Sequence, residues 1–266
     1  MSDDPHRALL ASAVAAAAQA AVALRERAAR LPSLTWEEKA PADFVSEADR
    51  AAEDVIRAVL GDRHPGARVI AEEGSPGEAI AGDGLAFVVD PLDGTTNFLH
   101  GYPWYAVSIG ALRDGVLAAA VVLNVANGEL FTATAGGGAR RGGQPIRVSS
   151  HADPRRALIG TGFPFKHPDR VEPYMRQLPR LLQSTAGVRR AGAAALDLAD
   201  VACGRFDGFW ELMLAPWDIA AGLLLVREAG GRVTTPDGAD CPVAHTAVVA
   251  SNTLLHPWLL ETLGAG

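Results

Sequence analysis

The 266-residue sequence predicts an α+β protein made of stacked layers of helix and sheet. Three observations carry this: a long alanine-rich opening of helical period, a strand-rich middle, and a second half in which helical and strand patterns alternate. With 48% apolar residues the chain can bury a sizeable core. A seam near residue 148 divides it into two expected halves, 1–147 and 148–266, closely packed as one unit.

The opening stretch "ALLASAVAAAAQAAVALRERAARL" predicts a helix over roughly residues 6–30. Asp3 and Asp4 stand where an export signal would carry positive charge, and Gln19 and Arg25 interrupt the apolar run. An amphipathic helix of a soluble protein fits better than a leader or a membrane span. A second helix over about 46–60 begins at Ser46, with Asp49 at capping-box spacing. The runs "ARVIAEE", "LAFVVD", "YAVSIGAL", "VLAAAVVLN" and "ELFTATA" follow, rich in β-branched or buried-type residues and bounded by turn residues. "AGGGARRGGQP" is glycine-rich without the spacing of a phosphate loop, so it predicts a hairpin turn. Beyond it lie the strand "ALIGTGF", helices over about 170–184 and 193–203, and the strand "GFWEL". A helix over about 217–229 closes at Gly230 and Gly231, before the strands "RVTT" and "TAVVAS".

Charge and cysteine usage narrow the function classes. A formal net charge of -7 opposes a direct nucleic-acid footprint, which needs a basic excess. Cys203 and Cys241 fall in no metal-binding spacing and are too few for a secreted disulfide scaffold, which points to a reducing cytoplasm.

Four stretches carry possible chemistry. In "FVVDPLDGTTNF", Asp90 ends an apolar run, Pro91 biases it towards extended backbone, and Gly94 permits the turn that brings Asp93, Thr95 and Thr96 towards it. Taken alone, Asp-Gly and Pro are ordinary turn residues. "VIAEEGS" ends another apolar run in Glu72 and Glu73, a pair that solvation alone would explain. In "APWDIAAGLLLVREAGG", Asp218 lies in a helix's first turn, where the helix dipole already favours a carboxylate, and Trp217 beside it packs to fix that group. In "KAPADFVSEAD", Lys39 precedes the Ser46–Asp49 cap, and a lone lysine is ordinarily solvated. His100, close to the aspartates, is more often packed or solvated than a ligand.

Electrostatics joins these stretches. Grouped in a site of low dielectric, Glu72, Asp90, Asp93 and Asp218 would repel strongly unless cations lay between them. An all-oxygen set without a Cys or His cluster favours a hard cation, Mg²⁺ first and Mn²⁺ next, and Mg²⁺ binds phosphate oxygens readily. Thr95 and Thr96, opening a short helix, would offer amides to a phosphate ester.

At these residues the chain resembles the inositol monophosphatase family of Mg²⁺-dependent, lithium-sensitive phosphatases. "FVVDPLDGTTNFLHGYPWYAVSIG" is nearly the family's W-V-I-D-P-L-D-G-T-T-N-F signature, and "WDIAAGLLLVREAGG" matches its W-D-x-A-A-G with E-A-G-G. "KAPADFVSEAD" and "VIAEEG" agree as well, and "GTGFPF" and "RRAGAAALDLADVACGRFDGFWE" look most like bacterial members, including the extragenic suppressor protein. The likeness runs over about residues 8–260.

That resemblance implies an α-β-α-β-α sandwich of the inositol monophosphatase and fructose-1,6-bisphosphatase type, usually a homodimer, with two or three Mg²⁺ ions. It places the first ion at Glu72, Asp90 and the Leu92 carbonyl with help from Thr95, and the second at Asp90, Asp93 and Asp218. Asp49 and Thr95 look like the pair that orients and deprotonates the attacking water, with Glu73 and Lys39 in support and no covalent phosphoenzyme. Asp93, Gly94, Thr95, Thr96, Gly192, Ala193, Ala194 and Glu211 match substrate-contact positions. The implied substrate is a small phosphorylated metabolite: inositol 1-phosphate or a related polyol or sugar monophosphate. Alternatives within the family are histidinol phosphate, fructose 1,6-bisphosphate and 3'-phosphoadenosine nucleotides. Outside catalysis the alternative is a regulatory binding role like that of the extragenic suppressor relatives. Ala71 and Gly74 depart from the usual residues around the glutamates, Ala193 replaces a frequent Ser or Thr, and Asn124 and Val125 stand where Asp-Pro is common. None of these removes a ligand; Ala193 bears on the preferred alcohol.

Overall fold

The computed structural model describes residues 5–31, 34–40, 43–75, 77–80 and 82–264. Its N-terminal elements are α1 (Pro5–Ala28), β1 (Trp36–Ala40), β2 (Asp43–Ser46), α2 (Glu47–Arg63), β3 (Arg68–Ala71), β4 (Leu85–Asp93), α3 (Thr95–Leu99), β5 (Ala106–Arg113), β6 (Val116–Asn124), β7 (Leu130–Thr134), β8 (Gly138–Arg141) and β9 (Gln144–Pro145). There follow β10 (Leu158–Thr161), α4 (Val171–Ser184), β11 (Gly187–Arg189), α5 (Ala194–Ala202), β12 (Gly208–Leu214), α6 (Pro216–Glu228), β13 (Arg232–Thr234), β14 (Thr246–Ser251) and α7 (His256–Gly264).

Seven strands form a sheet in chain order, β3 to β9, antiparallel except for the parallel β3–β4 pair. Five strands form a second sheet in the order β11-β10-β12-β14-β13, with β10 parallel to both neighbours. Helices α1 and α2 cover one face of the first sheet, α5 and α6 fill the space between the sheets, and α4 and α7 cover the far side of the second. The result is the expected α-β-α-β-α sandwich. Strands β5 and β6 are buried almost throughout, because helices cover both faces, and so read as continuous apolar runs.

Helix α1 is long and apolar enough, by length and composition, to cross a membrane. Here its stripe of Leu9, Ala13, Ala16, Ala17, Ala20, Ala21 and Leu24 is buried against α2 and the first sheet, at the i, i+3, i+4 spacing of a core-facing helix. Small alanines let the helix axes approach closely. Facing them, α2 buries Ala48, Ala52, Ile56 and Leu60 at four-residue intervals.

The five expected helices form within three residues of their predicted ends. Helix α7, the polar β1–β2 hairpin and the three-residue β11 gave no periodic signal. The glycine-rich stretch holds two turns around β8 instead of one. Strand β4 does not end at Asp90 but runs on to Asp93 with an irregularity between them.

Candidate active site

That irregularity positions the two aspartates. In a regular strand, residues three apart point to opposite faces. Asp90 pairs with Ser108 and Asp93 with Ala106, so three steps on β4 oppose two on β5. The extra residue restores the parity and turns both side chains to one cleft. Gly94 then takes φ +90, a left-handed conformation that costs other residues energy, and starts α3. A Cβ there would also crowd the Trp104 carbonyl at 3.0 Å and Ala193 at 3.3 Å.

The cleft, of about 530 Å³, is lined by Glu72, Asp90, Leu92, Asp93, Gly94, Thr95 and Thr96 from the first sheet's end. Gly192, Ala193 and Ala194 from the start of α5, Glu211 from β12 and Asp218 from α6 complete this part of the wall. Glu72 follows β3, and its amide donates to the Val89 carbonyl at 3.3 Å, which holds it beside Asp90. Residues far apart in sequence thus meet where both sheets end and three helices begin.

Each aspartate gives one oxygen to a backbone amide. Asp90 Oδ1 accepts from Leu92 N at 2.9 Å, Asp93 Oδ2 from Ala195 N at 2.8 Å, and Asp218 Oδ2 from Ala215 N at 2.7 Å. Asp93 therefore caps α5, whose own N-cap residue, Ala193, has no side-chain acceptor. Asp49 Oδ2 accepts from Ser46 N at 2.8 Å and Ser46 Oγ at 2.6 Å, while its Oδ1 accepts from the Thr95 hydroxyl at 2.9 Å. One side chain is both a helix cap and the partner of a cleft residue. The Leu92 carbonyl lies 3.1 Å from the same hydroxyl.

Burial first, and mutual repulsion second, raise these acids. Asp90 is held well above the ordinary carboxylate range by burial and the charges of Glu72, Asp93 and Asp218. Asp93 is pushed up to about 7 by burial and Glu72, against the opposing amides of Ala195 and Ala194. Asp218 rises to about 8 through burial, Glu72 and Asp93, and Glu211 to about 8 through burial and Asp218. Burial also raises Asp49, against the hydrogen bonds from Ser46. A protein holding these groups ionised at neutral pH needs cations among them.

The donor set is all oxygen, which suits a hard divalent cation. Among the described residues, no three Asp, Glu, His or Cys side chains converge tightly enough to hold an ion by themselves. Mg²⁺ ordinarily keeps several waters and takes only one or two carboxylates directly, so a closed protein cage is not what it requires.

Sequence reasoning missed several groups. Asp197, Lys166, Arg190, Phe163, Phe165, Phe44 and His245 also line the cleft, with Arg190 stacked 5.5 Å and 5.1 Å from the Phe163 and Phe165 ring centres. Phe44, Phe163, Phe165, Arg190 and Asp197 fall inside stretches that carry the resemblance without being singled out there, and Lys166 and His245 fall outside them. Glu53 was also missed: it accepts from the Glu73 and Gly74 amides at 3.1 Å and 3.2 Å and pairs with Arg57 at 2.7 Å, bracing the turn that carries Glu72. A side chain at Gly74 would strike that pair, which accounts for glycine there. Glu73 lies in this turn next to the cleft's Glu72. The Lys39 side chain lies outside the described residues. Trp217 packs edge-on against His245, with ring centres 5.7 Å apart.

A layered α+β fold with an acid-lined cleft at the meeting of its sheets defines a class, the phosphoric monoester hydrolases of the sandwich type. Residues 6–265 match the inositol monophosphatase family, and the chain belongs to it. It is 47% identical over 227 residues to the inositol-1-monophosphatase of Rhizobium meliloti, covering 85% of this chain and 84% of the other. It is also 46% identical over 238 residues to the Nus factor SuhB of Pseudomonas aeruginosa, with 88% of each covered. The crystal structure of the extragenic suppressor protein suhB from Bartonella henselae superposes with a TM-score of 0.92 at 42% identity, covering 97% of this chain and 99% of that one.

Proposed function

We propose that the protein hydrolyses inositol 1-phosphate or a related polyol or sugar monophosphate by direct attack of water. The observation carrying this is the convergence of Glu72, Asp90, Asp93 and Asp218 on one cleft beside the hydrogen-bonded Asp49–Thr95 pair. Glu72, Asp90, the Leu92 carbonyl and Thr95 would hold one Mg²⁺, and Asp90, Asp93 and Asp218 another, with room in the family pattern for a third and for Mn²⁺ in its place. Bound there, the metal would acidify water and stabilise charge on phosphate and leaving oxygens.

The chain's own groups account for the remaining chemistry. Thr95 donates to Asp49, which leaves the Thr95 oxygen able to accept a proton from the attacking water while Asp49 takes the Thr95 proton. The raised affinity of Asp49 for protons suits it to that role. The first amides of a helix lack intrahelical partners, so those of Gly94, Thr95 and Thr96 are suited to hold the phosphate. Asp93, Gly192, Ala193, Ala194 and Glu211 would contact the alcohol. Ala193 offers only backbone.

The test is phosphate release from inositol 1-phosphate, histidinol phosphate, fructose 1,6-bisphosphate and 3'-phosphoadenosine 5'-phosphate, with Mg²⁺ or EDTA, for wild type and Asp93→Asn. Mg²⁺-dependent turnover lost in the variant supports the reading, and millimolar Li⁺ should inhibit it. No turnover of any ester would refute it. The two cysteines unpaired in the structure, together with the resemblance, support a cytoplasmic homodimer, which sedimentation would check. The Nus factor relative supports a second reading, a regulatory role in a transcription complex. If Asp93→Asn rescued every cellular function, that reading would replace catalysis.

A further inference from the structure

A second cavity, of about 260 Å³, lies at the opposite end of α6 from Asp218 and shares no lining residue with the cleft. Three arginines from separate stretches of chain line it: Arg140 on β8, Arg147 just after β9, and Arg227 in the last turn of α6. Among the described residues none of the three pairs with a carboxylate, and Arg147, which is exposed, makes no side-chain bond. Arg140 Nη1 donates to the Gly143 carbonyl at 3.0 Å and Arg227 Nη2 to the Cys241 carbonyl at 2.9 Å, which leaves each with further N–H groups to give. Arg141, next along β8 and pointing to the opposite face, is matched instead by Glu129 at 3.6 Å. Among the described residues Glu228 is the one acid lining the cavity, and its two oxygens accept from the Gly136 and Gly138 amides at 2.8 Å each. The carbonyls that end α6, which would repel an anion, are hydrogen-bonded too: those of Leu225, Val226, Arg227 and Ala229 accept from the amides of Ala229, Gly231, Gly230 and Val148.

We propose that this cavity binds a small phosphate-type anion, free or carried by a metabolite, at a site separate from the catalytic cleft. Three guanidiniums around one cavity repel each other, and an anion among them removes that repulsion. Each guanidinium offers paired N–H groups that match two oxygens of a phosphate. Several such forks select a group with equivalent oxygens and more than one negative charge over chloride. With a formal net charge of -7 on the chain, this positive spot is not part of a generally basic surface. The glycine-rich stretch over 135–143 contributes through Arg140 and not through its amides. Those of Gly136 and Gly138 serve Glu228, and that of Gly137 serves the Thr134 carbonyl at 2.8 Å. Glu228 thereby ties the turn before β8 to the end of α6 and sets Arg140 and Arg227 on one cavity.

The experiment is an NMR titration of the metal-free protein in EDTA at pH 8 with inorganic phosphate and, separately, diphosphate. It compares wild type, Arg147→Gln, the double variant Arg140→Gln with Arg147→Gln, and Arg190→Gln. Chloride holds the ionic strength fixed and should not compete. Arg147 is exposed, so its replacement should leave the fold intact, and an unchanged Tm checks this. Saturable shifts should gather at residues 136–147 and 227–230, with diphosphate bound about tenfold more tightly than phosphate. Arg147→Gln should weaken binding about threefold to tenfold and the double variant further, whereas Arg190→Gln, which alters the cleft, should leave it unchanged. No saturable shift at these residues, an affinity kept in the double variant, or an affinity lost with Arg190→Gln instead would overturn the proposal. Turnover plays no part in the readout, so the phosphatase reading stands or falls separately.

Discussion

Asp93→Asn should make the metal-free protein more stable at pH 8 while abolishing turnover. Burial and the Glu72 charge carry Asp93 from 3.8 to about 7, and each pKa unit corresponds to about 1.4 kcal/mol. Ionised Asp93 therefore costs the metal-free fold up to about 4 kcal/mol above pH 7. Part of that is shared with neighbouring acids, and asparagine loses the charge on the Ala195 hydrogen bond while keeping an acceptor, so a gain of about 1–3 kcal/mol is expected. The sign follows from proton uptake: a raised acid binds more protons folded than unfolded, so its cost is full above the folded pKa and fades as pH falls towards the unfolded value. The assay is thermal unfolding in EDTA at pH 8 and pH 5, where the gain should shrink by more than half. At pH 8 it should raise Tm by roughly 3–8 °C. Added Mg²⁺ should then stabilise wild type more than the variant. A variant less stable than wild type at pH 8 in EDTA, or a pH-independent difference, would show that these carboxylates are not crowded together.

Three further substitutions test the supports. Gly162→Ala should push the Glu211 carboxylate aside and raise KM for polyol esters by roughly tenfold with little change for phenyl phosphate, and an unchanged ratio would mean Glu211 does not touch the alcohol. Ser46→Ala removes the α2 cap and one hydrogen bond to Asp49, so chemical denaturation should show a loss of about 1 kcal/mol. Its kcat should fall roughly tenfold, and a stability loss without a rate loss would separate Asp49 from catalysis. Glu53→Gln loosens the turn that carries Glu72, and the Mg²⁺ concentration for half-maximal activity should rise about tenfold or more. An unmoved Mg²⁺ curve would show that the turn is held otherwise.

Much of the fold was legible because its signals are local. The alanine stripe of α1, the apolar runs of β4 to β6 and the Pro216–Gly230 limits of α6 each write their period or punctuation into the chain. The β1–β2 hairpin was not, since "WEEKA" is charged and lies on the surface, where no apolar alternation is required. The aspartates and Glu72 were legible through like charges placed at the ends of apolar runs. Asp197 was not: in "AALDLADVA" it reads as the polar position of a helix, and only the packing of α5 between two sheets makes it buried. Glu53 and Arg57 likewise read as a solvated i,i+4 pair until the fold sets the glutamate turn against them.

For Asp49 and Asp218 the sequence left open whether the carboxylate caps a helix or serves the site, and the structure removes the choice. Asp49, Asp93 and Asp218 each turn Oδ2 to an amide at the start of α2, α5 or α6. The amide fixes the rotation of the carboxylate, and the helix dipole partly offsets the cost of its charge. The second oxygen remains for other work, as Asp49 Oδ1 does in holding Thr95. Capping is thus the means by which Asp93 and Asp218 are held in a cleft where repulsion would otherwise drive them out, and by which Asp49 is held against Thr95. Replacing one by asparagine keeps the cap and removes the charge, and replacing it by alanine removes both. Asn variants should therefore fold and fail in turnover, whereas the matching Ala variants should lose the further stability of a cap, about 1 kcal/mol. Equal stability of the two sets would break the link between the caps and the site.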